Sequence, residues 1–274
     1  VNLGIRAHDI ETNDLEKLVN DIAAKGLTRV QLALSKSLPA FYSGVGSLSS
    51  DIAQHIGNAF SDKGLQIAVL GCYFNMIHPD PIERRKGMDR FKEHLRYSKD
   101  FGCSIVATET GNVNAEIIYT EENFKENPFL AVVESVSELV KEAEKFGVIV
   151  GIEAGVNHPI YSVTTMKRLL DMIDSPNLQV IFDPVNLLTI DNYINQEEIF
   201  EKAFEILGDK MVIFHAKDFI IEGGSLKQVP VGHGLLNYDK LFGLIKDKKP
   251  NINILIEGTK EPFIDKSIAY LRSK

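Results

Sequence analysis

Short apolar runs that break abruptly into charge recur along the chain, and the stretches between them carry apolar residues at helical spacing. The clearest run is Met211 to Phe214, four apolar residues followed by His215, Lys217 and Asp218. A run of that length predicts a buried strand, and the polar break marks its end. VIVGIEAG closing on Glu153, LQVIFDPVN closing on Asp183 and INILIEGT closing on Glu257 have the same form. The helical patterns between them carry their own stop signals. Val132, Val133, Val136, Leu139, Val140 and Ala143 share one face between Asn127-Pro128 and Gly147. Further helices read over residues 164–173, ending before Pro176, over 196–207, closed by Gly208, and over 237–246, preceded by a glycine-rich loop, EGGSLKQVPVGHG. A short helix ends the chain.

The first half has the same plan. Residues 2–8 read as a strand closing on Arg6, His8 and Asp9, and Asn13 or Asp14 caps a helix with Leu15, Leu18, Val19 and Ile22 on one face and Gly26 at its end. A strand over 29–34 leads into a serine-rich loop with Pro39, and a helix over 51–63 stops at Gly64. The strand over 65–71 precedes a loop holding Asn75 and His78, and a long charged helix over 82–101 leads to a fourth strand opened by Gly102. Eight strands alternating with eight helices predict an α/β chain and a single (β/α)8 barrel domain over residues 1–274, a length that suits a fold of roughly 250 residues. Strands apolar throughout, such as VIVGI, fit a parallel sheet covered by helices. An open doubly wound sheet is the competing architecture, but no GxGxxG turn follows the first strand.

In parallel α/β folds the ligand site lies beyond the carboxyl ends of the strands. Glu153, Asp183, His215 and Glu257 occupy that position on four consecutive units. Each taken alone reads as a loop cap or a salt-bridging residue; four at the same phase of successive units point to one site. Two glutamates, an aspartate and one imidazole make an oxygen-rich donor set suited to Mn2+ first, with Mg2+, Co2+ or Zn2+ compatible. Three carboxylates on a divalent ion leave one negative charge, so a carboxylate beside the ion can still act as a base. Other polar residues compete for roles at the mouth. His8, Glu109 and Asn75 are candidates to line a substrate pocket, and Lys217 either contacts substrate or pairs with Asp218. Tyr73, Phe74, Phe41 and Tyr42 are candidates for an apolar wall of that pocket. His233 sits among glycines whose N–H groups suit an anion, but no second basic residue accompanies it.

Composition narrows the function. The 274 residues carry 30 basic against 38 acidic side chains, a net charge of -8, which matches a polyanionic partner poorly and disfavours nucleic acid. Only Cys72 and Cys103 are present, with no CxxC spacing, so both are expected reduced near strand ends. No run approaches the ~18 apolar residues of a membrane span. The chain opens on a strand-like segment rather than a signal peptide, and a cytoplasmic protein without nucleotide cofactor or membrane partner is expected.

IEAGVNH after the fifth strand, FDPVN after the sixth, HAKD after the seventh and IEG on the eighth together resemble the xylose isomerase-like barrel superfamily. That group includes sugar isomerases and epimerases such as tagatose 3-epimerase, inosose dehydratase and endonuclease IV. The resemblance covers nearly the whole chain. It implies that Glu153, Asp183, His215 and Glu257 hold the metal, that Glu153 and Glu257 double as an acid/base pair, and that His158 and Asn186 lie near metal or substrate. It also implies a homodimer or homotetramer. The expected activity is a metal-dependent isomerase or epimerase acting on a ketose or polyol ketone. An inosose-type dehydratase is the alternative, with a sugar-binding barrel lacking activity as a further one. Endonuclease IV is the most distant alternative, because it has a histidine where this chain has Asn186 and an Asp-x-His pair where this chain has LKQVPVG.

Overall fold

The computed structural model describes residues 2–42 and 44–274. Ser43, within the serine-rich loop, and Val1 lie outside the described residues. Eight parallel strands close into a barrel: β1 (Asn2–Arg6), β2 (Arg29–Leu32), β3 (Gln66–Gly71), β4 (Ile105–Thr108), β5 (Ile149–Glu153), β6 (Leu178–Phe182), β7 (Met211–Ala216) and β10 (Asn253–Ile256), in the cyclic order β1-β10-β7-β6-β5-β4-β3-β2. Closure is made by β1 on β10, with Ile5 opposite Ile256. The (β/α)8 barrel expected from the sequence is the fold observed.

Residue alternation divides the strands between two cores, because successive side chains of a strand point to opposite faces. Val180, Phe182, Phe214, Ile254 and Ile256 face outward into the large core beneath the helices. Ile105, Ala107, Ile181, Ile213 and Leu255, the alternate positions, form a separate small core inside the barrel. Continuing that inward parity one step past the small core on four strands reaches Glu153, Asp183, His215 and Glu257. The same alternation therefore fills the lower barrel with aliphatic side chains and its upper end with chemistry.

The covering helices are α1 (Leu15–Ala24), α2 (Leu34–Ser37), α3 (Ser50–Ser61), α4 (Pro81–Tyr97), α5 (Glu126–Phe146), α6 (Val163–Met172), α7 (Gln196–Leu207), α8 (Tyr238–Lys248) and α9 (Ile264–Arg272). Helices α1, α3, α4, α6 and α8 start at side-chain caps that satisfy otherwise unpaired amides. Asp14 accepts from the Lys17 amide at 2.7 Å, Asp80 from Ile82 at 2.8 Å and Asn237 from Lys240 at 3.0 Å. Ser162 and Thr165 form a capping box, which starts α6 at Val163, one residue before the expected Thr164. Helix α5 begins at Glu126, so Pro128 lies within its first turn rather than ahead of it, where a missing N–H costs nothing. The second strand ends at Leu32, and the serine-rich segment after it opens with the one-turn α2.

The largest departure is the expected glycine-rich loop after β7. It is an antiparallel hairpin, β8 (Asp218–Glu222) against β9 (Ser225–Val229), with Glu222 opposite Ser225. Gly223 and Gly224 both have positive φ, 59° and 77°, the conformation a two-residue hairpin turn requires and glycine adopts without strain. No helix among the described residues is long and apolar enough to cross a membrane. Cys72 and Cys103 are free and buried, just after β3 and just before β4.

On α4, His94 is buried against the Tyr42 ring, with centroids 5.2 Å apart, and its Nδ1 donates to the Arg90 carbonyl at 2.9 Å. Burial lowers its pKa from 6.5 to about 4. The unfolded chain therefore takes up this proton more readily, and the stability held above pH 6.5 is lost as pH falls toward 4. The loss attributable to His94 is about 3 kcal/mol, at 1.36 kcal/mol per pKa unit. Urea unfolding of wild type and His94→Phe between pH 7 and about pH 4 is expected to show a shallower decline in the variant. Parallel declines would refute the assignment.

Candidate metal centre

Glu153 is the last residue of β5, Asp183 and Glu257 each follow the last residue of β6 and β10, and His215 lies one residue before the end of β7. One ligand-capable atom from each lies within 4.8 Å of all the others. Glu153, Asp183 and His215 are 4%, 2% and 2% exposed. His215 Nδ1 stands 3.4 Å from Glu153 Oε2 and 3.3 Å from Glu257 Oε2. Two cations, the buried Lys217 and the half-buried Arg6, flank the carboxylates. Lys217 Nζ is 2.7 Å from Asp183 Oδ2 and 2.9 Å from Glu257 Oε1, and Arg6 Nη1 is 3.0 Å from Glu257 Oε1.

These contacts set the protonation of each group. Burial pushes the Glu153 carboxyl up to about 7, against the pull of His215. Burial works in the same direction on Glu257, but Lys217, His215 and Arg6 overcome it and hold that carboxylate well below its usual range. Burial would make His215 more acidic, yet Glu153 and Glu257 raise it to about 9. Lys217 is likewise raised despite burial, by Asp183 and Glu257.

A second set of residues fixes the geometry. Gln31, buried on β2 with inward parity, donates through Nε2 to the Tyr73 hydroxyl, which turns its Oε1 toward His215 Nε2 at 2.7 Å. That nitrogen is therefore the imidazole donor, and Nδ1 faces the carboxylates. Asn186 donates to Glu153 Oε1 at 2.7 Å and accepts from Lys217 at 3.0 Å, tying β5 to β7. Asp183 Oδ1 accepts from the Val185 and Asn186 amides at 2.9 and 3.1 Å, leaving Oδ2 for the site. Arg6 is aligned by two bonds to Asp9, at 3.0 and 2.9 Å, and Asp9 also accepts from the Gly258 amide at 2.8 Å. Gly258 turns at φ 69° and has Gln228 packed against its Cα, which explains a glycine directly after Glu257.

Beside this cluster opens a cavity of about 650 Å3, lined by the ends of β3 and β4, by α4 and by His158. Glu109, Asn75, Tyr73 and Phe74 line it as the sequence suggested. Asn75 has both ends of its amide committed to the loops: Nδ2 donates to the Asn112 and Asn114 carbonyls, both at 2.8 Å, and Oδ1 accepts from Ile77 and Asn112. His158 places Nδ1 2.8 Å from the Gly111 carbonyl. His8 is half-buried in the turn after β1, off the cavity wall, and burial with Arg6 and Lys36 lowers its pKa to about 3. Phe41 packs on His55 outside the barrel and Tyr42 on His94, so neither forms part of the wall.

Two expectations change. Lys217 forms no ion pair with Asp218; its ammonium points to Asp183 and Glu257, while Asp218 accepts from the amides of Phe219, Gly232, Gly234 and Leu236 at 2.9 to 3.1 Å. The glycine amides around His233 are therefore occupied by the protein's own carboxylate, and the His233 ring packs edge-on to Phe263. Sequence reasoning missed Gln31 as a site residue and noted Arg6 and Asp9 only as strand-end residues. The available signal was parity: Gln31 is the one polar residue in the run Val30 to Leu34.

A model of the family described as xylose isomerase-like TIM barrel matches residues 19–274. The chain belongs to that family. A 3-oxo-isoapionate decarboxylase from Pectobacterium atrosepticum is 26% identical over 125 residues, 43% of this chain and 42% of the decarboxylase, so the match spans less than half of that relative's length. The structure of the probable 3-DHS dehydratase AsbF from Bacillus anthracis, involved in petrobactin synthesis, aligns over 99% of both chains with TM-score 0.77 and 13% identity. A D-tagatose 3-epimerase-like protein aligns over 100% of this chain and 96% of its own with TM-score 0.77 and 18% identity. At these identities the structural likeness is one of fold.

The residues of this family member fit a divalent cation. His215 Nδ1 is buried with no hydrogen-bond partner, and Asp183 Oδ2 meets only the Lys217 ammonium, off the angles of a hydrogen bond. A lone pair held against two carboxylates is repulsive unless a proton or a cation lies between them. With Lys217 and Arg6 offsetting part of the charge of three carboxylates, a divalent ion can supply the rest. We assign Glu153, Asp183, His215 and Glu257 as the groups that would hold it. Replacing Asp183 or His215 with Ala is expected to weaken Mn2+ binding by at least about 100-fold with far-UV circular dichroism unchanged. Gln31→Leu, which only unlocks the imidazole, is expected to cost about 10- to 100-fold. Calorimetric titration with Mn2+ checks both, and unaltered affinity in Asp183→Ala would sink the assignment.

Proposed function

We propose that this protein is a divalent-metal-dependent isomerase or epimerase that moves a proton at the carbon beside the carbonyl of a ketose or related polyol ketone. The observation that carries this reading is the pairing of Glu153 and Glu257, carboxylates on separate barrel strands that converge on one cluster from two sides. Epimerisation requires a base on one face of a carbon and an acid on the other, and a metal site alone does not. When bound, a divalent ion held by Glu153, Asp183, His215 and Glu257 would supply positive charge where negative charge develops on the substrate oxygen. One glutamate removes the proton and the other returns one from the opposite face. Lys217 and Arg6 hold Glu257 ionised, while Asn186 fixes Glu153 through its hydrogen bond at 2.7 Å. His158 and Glu109, on the cavity wall, are the residues we assign to substrate hydroxyls.

Dehydration is the second reading, and decarboxylation joins it because the 3-oxo-isoapionate decarboxylase shares 26% identity with part of this chain. Both share the build-up of charge on a carbonyl oxygen and differ in whether water or carbon dioxide leaves. Product mass separates them, since epimerisation conserves it. A phosphodiesterase reading has little support: Asn186, where endonuclease IV has a histidine, spends its amide on Glu153 and Lys217.

Glu153→Gln and Glu257→Gln are each expected to lower kcat by about 100- to 10,000-fold, the range for loss of a general acid or base. In D2O, wild type assayed with Mn2+ on a panel of free and phosphorylated ketoses is expected to place deuterium at the carbon beside the carbonyl. Turnover without solvent deuterium would mean hydride transfer and would remove the proton-transfer mechanism.

A further inference from the structure

The charged groups of the cavity wall differ in how they are neutralised. Lys86, at the rim, is paired with Glu83 at 2.7 Å. Arg6 and Lys217, at the cluster, are paired with Asp9, Asp183 and Glu257. Arg90, which lines the same cavity from α4, has no carboxylate within ion-pair distance among the described residues. Its Nη2 donates to the Tyr73 carbonyl, and its Nε is buried without a partner. The flanking acids on its helix are engaged elsewhere: Asp89 lies 3.8 Å from Arg85, and the Glu93 carboxylate accepts from the Gly46 and Leu48 amides at 2.8 and 3.3 Å.

An unpaired guanidinium in a ligand cavity, on a chain of net charge -8, is a placed charge rather than a statistical surplus. Arginine presents a planar fork that suits carboxylate and phosphate oxygens. Tyr73 connects this position to the metal centre, since its hydroxyl accepts from Gln31, the partner of His215, and its carbonyl accepts from Arg90. Glu109, also on the wall and without an ion pair among the described residues, repels an anion placed near it and accepts hydroxyls instead.

We propose that the substrate carries an anionic group, a carboxylate or a phosphate, that seats against Arg90 while its carbonyl end reaches the cluster of Glu153, Asp183, His215 and Glu257. This rests on the proton-transfer reading above and narrows its substrate class to acidic sugars or sugar phosphates. Lys36, exposed and without an ion pair among the described residues, lies 4.4 Å from the centroid of the Tyr73 ring and adds positive potential beside the seat.

The test is calorimetric binding to the Mn2+-loaded protein of three probes: D-fructose, D-fructose 6-phosphate and 5-keto-D-gluconate. Wild type is expected to bind one or both anionic probes at least about tenfold more tightly than fructose, as one charge-assisted hydrogen bond allows. Which of the two binds distinguishes a phosphate from a carboxylate. Arg90→Gln is expected to abolish that preference, bringing the affinity for the anionic probe down to that for fructose, and Arg90→Lys to retain part of it. Equal affinity for all three probes in wild type, no binding of either anion, or uniform weakening of all three by Arg90→Gln would overturn the proposal. The wild-type comparison stands even where a variant fails to fold. Solvent exchange without anion preference would remove the seat alone, and anion preference without exchange would remove the proton-transfer reading alone.

Discussion

Three carboxylates and an imidazole share one buried volume at the top of this barrel, and much of the upper half of the molecule is arranged to make that tolerable. Charges taken out of water are costly unless they are paired and hydrogen-bonded. Here Lys217 and Arg6 stand within 3.0 Å of the carboxylates they offset, and Asn186, Asp9, Gln31 and the Val185 amide satisfy remaining donors and acceptors. What remains unsatisfied, His215 Nδ1 above all, faces the centre of the group. A fully compensated cluster would be a structural ion network; one with its residual deficit pointing inward is arranged to receive a cation.

The supporting residues are drawn from distant parts of the chain, and this gives the loops their roles. The turn after β1 supplies Asp9 to the glycine after Glu257, so the first and last barrel strands are joined at the site as well as along their backbones. Asp218 gathers the amides of the segment returning from the hairpin, and Tyr238 donates to the Lys217 carbonyl at 2.8 Å, so the backbone that carries Lys217 is fixed from both sides. Because these residues are shared between elements, substitution at one of them is expected to act on neighbours as well, and effects within the cluster will not add.

The cavity is asymmetric about the candidate metal centre. It opens over β3, β4 and α4, whereas on the β10 side the hairpin strand β9 reaches the cluster, Gln228 donating to the Glu257 carbonyl at 3.3 Å. The cavity lining includes Arg90, Glu109 and His158 and none of the four cluster residues, so in the proposed reading selection by charge and hydroxyl pattern falls to a wall separate from the metal donors. Such a division lets one barrel keep its metal donors while varying its substrate, the usual arrangement when loops sit on a rigid scaffold.

The apolar runs, their spacing and the polar residue ending each were legible in the chain because a buried parallel strand tolerates almost nothing but aliphatic side chains, and any exception at its end stands out. Glu153, Asp183, His215 and Glu257 were found that way, as were the eightfold alternation and the barrel. The hairpin was missed because its Gly-Gly turn joins strands that are only partly apolar, so the turn residues read as loop. Gln31 and Arg6 were missed as site residues for another reason: a lone polar residue within or ending a strand has no identifiable partner until the barrel closes and its inward parity becomes a location. The partners of Lys217, the commitment of Asn75 to its loops and the unpaired state of Arg90 likewise depend on contacts between residues far apart in sequence. Local pattern determined which side chains point inward; only closure of the barrel decided which of them meet.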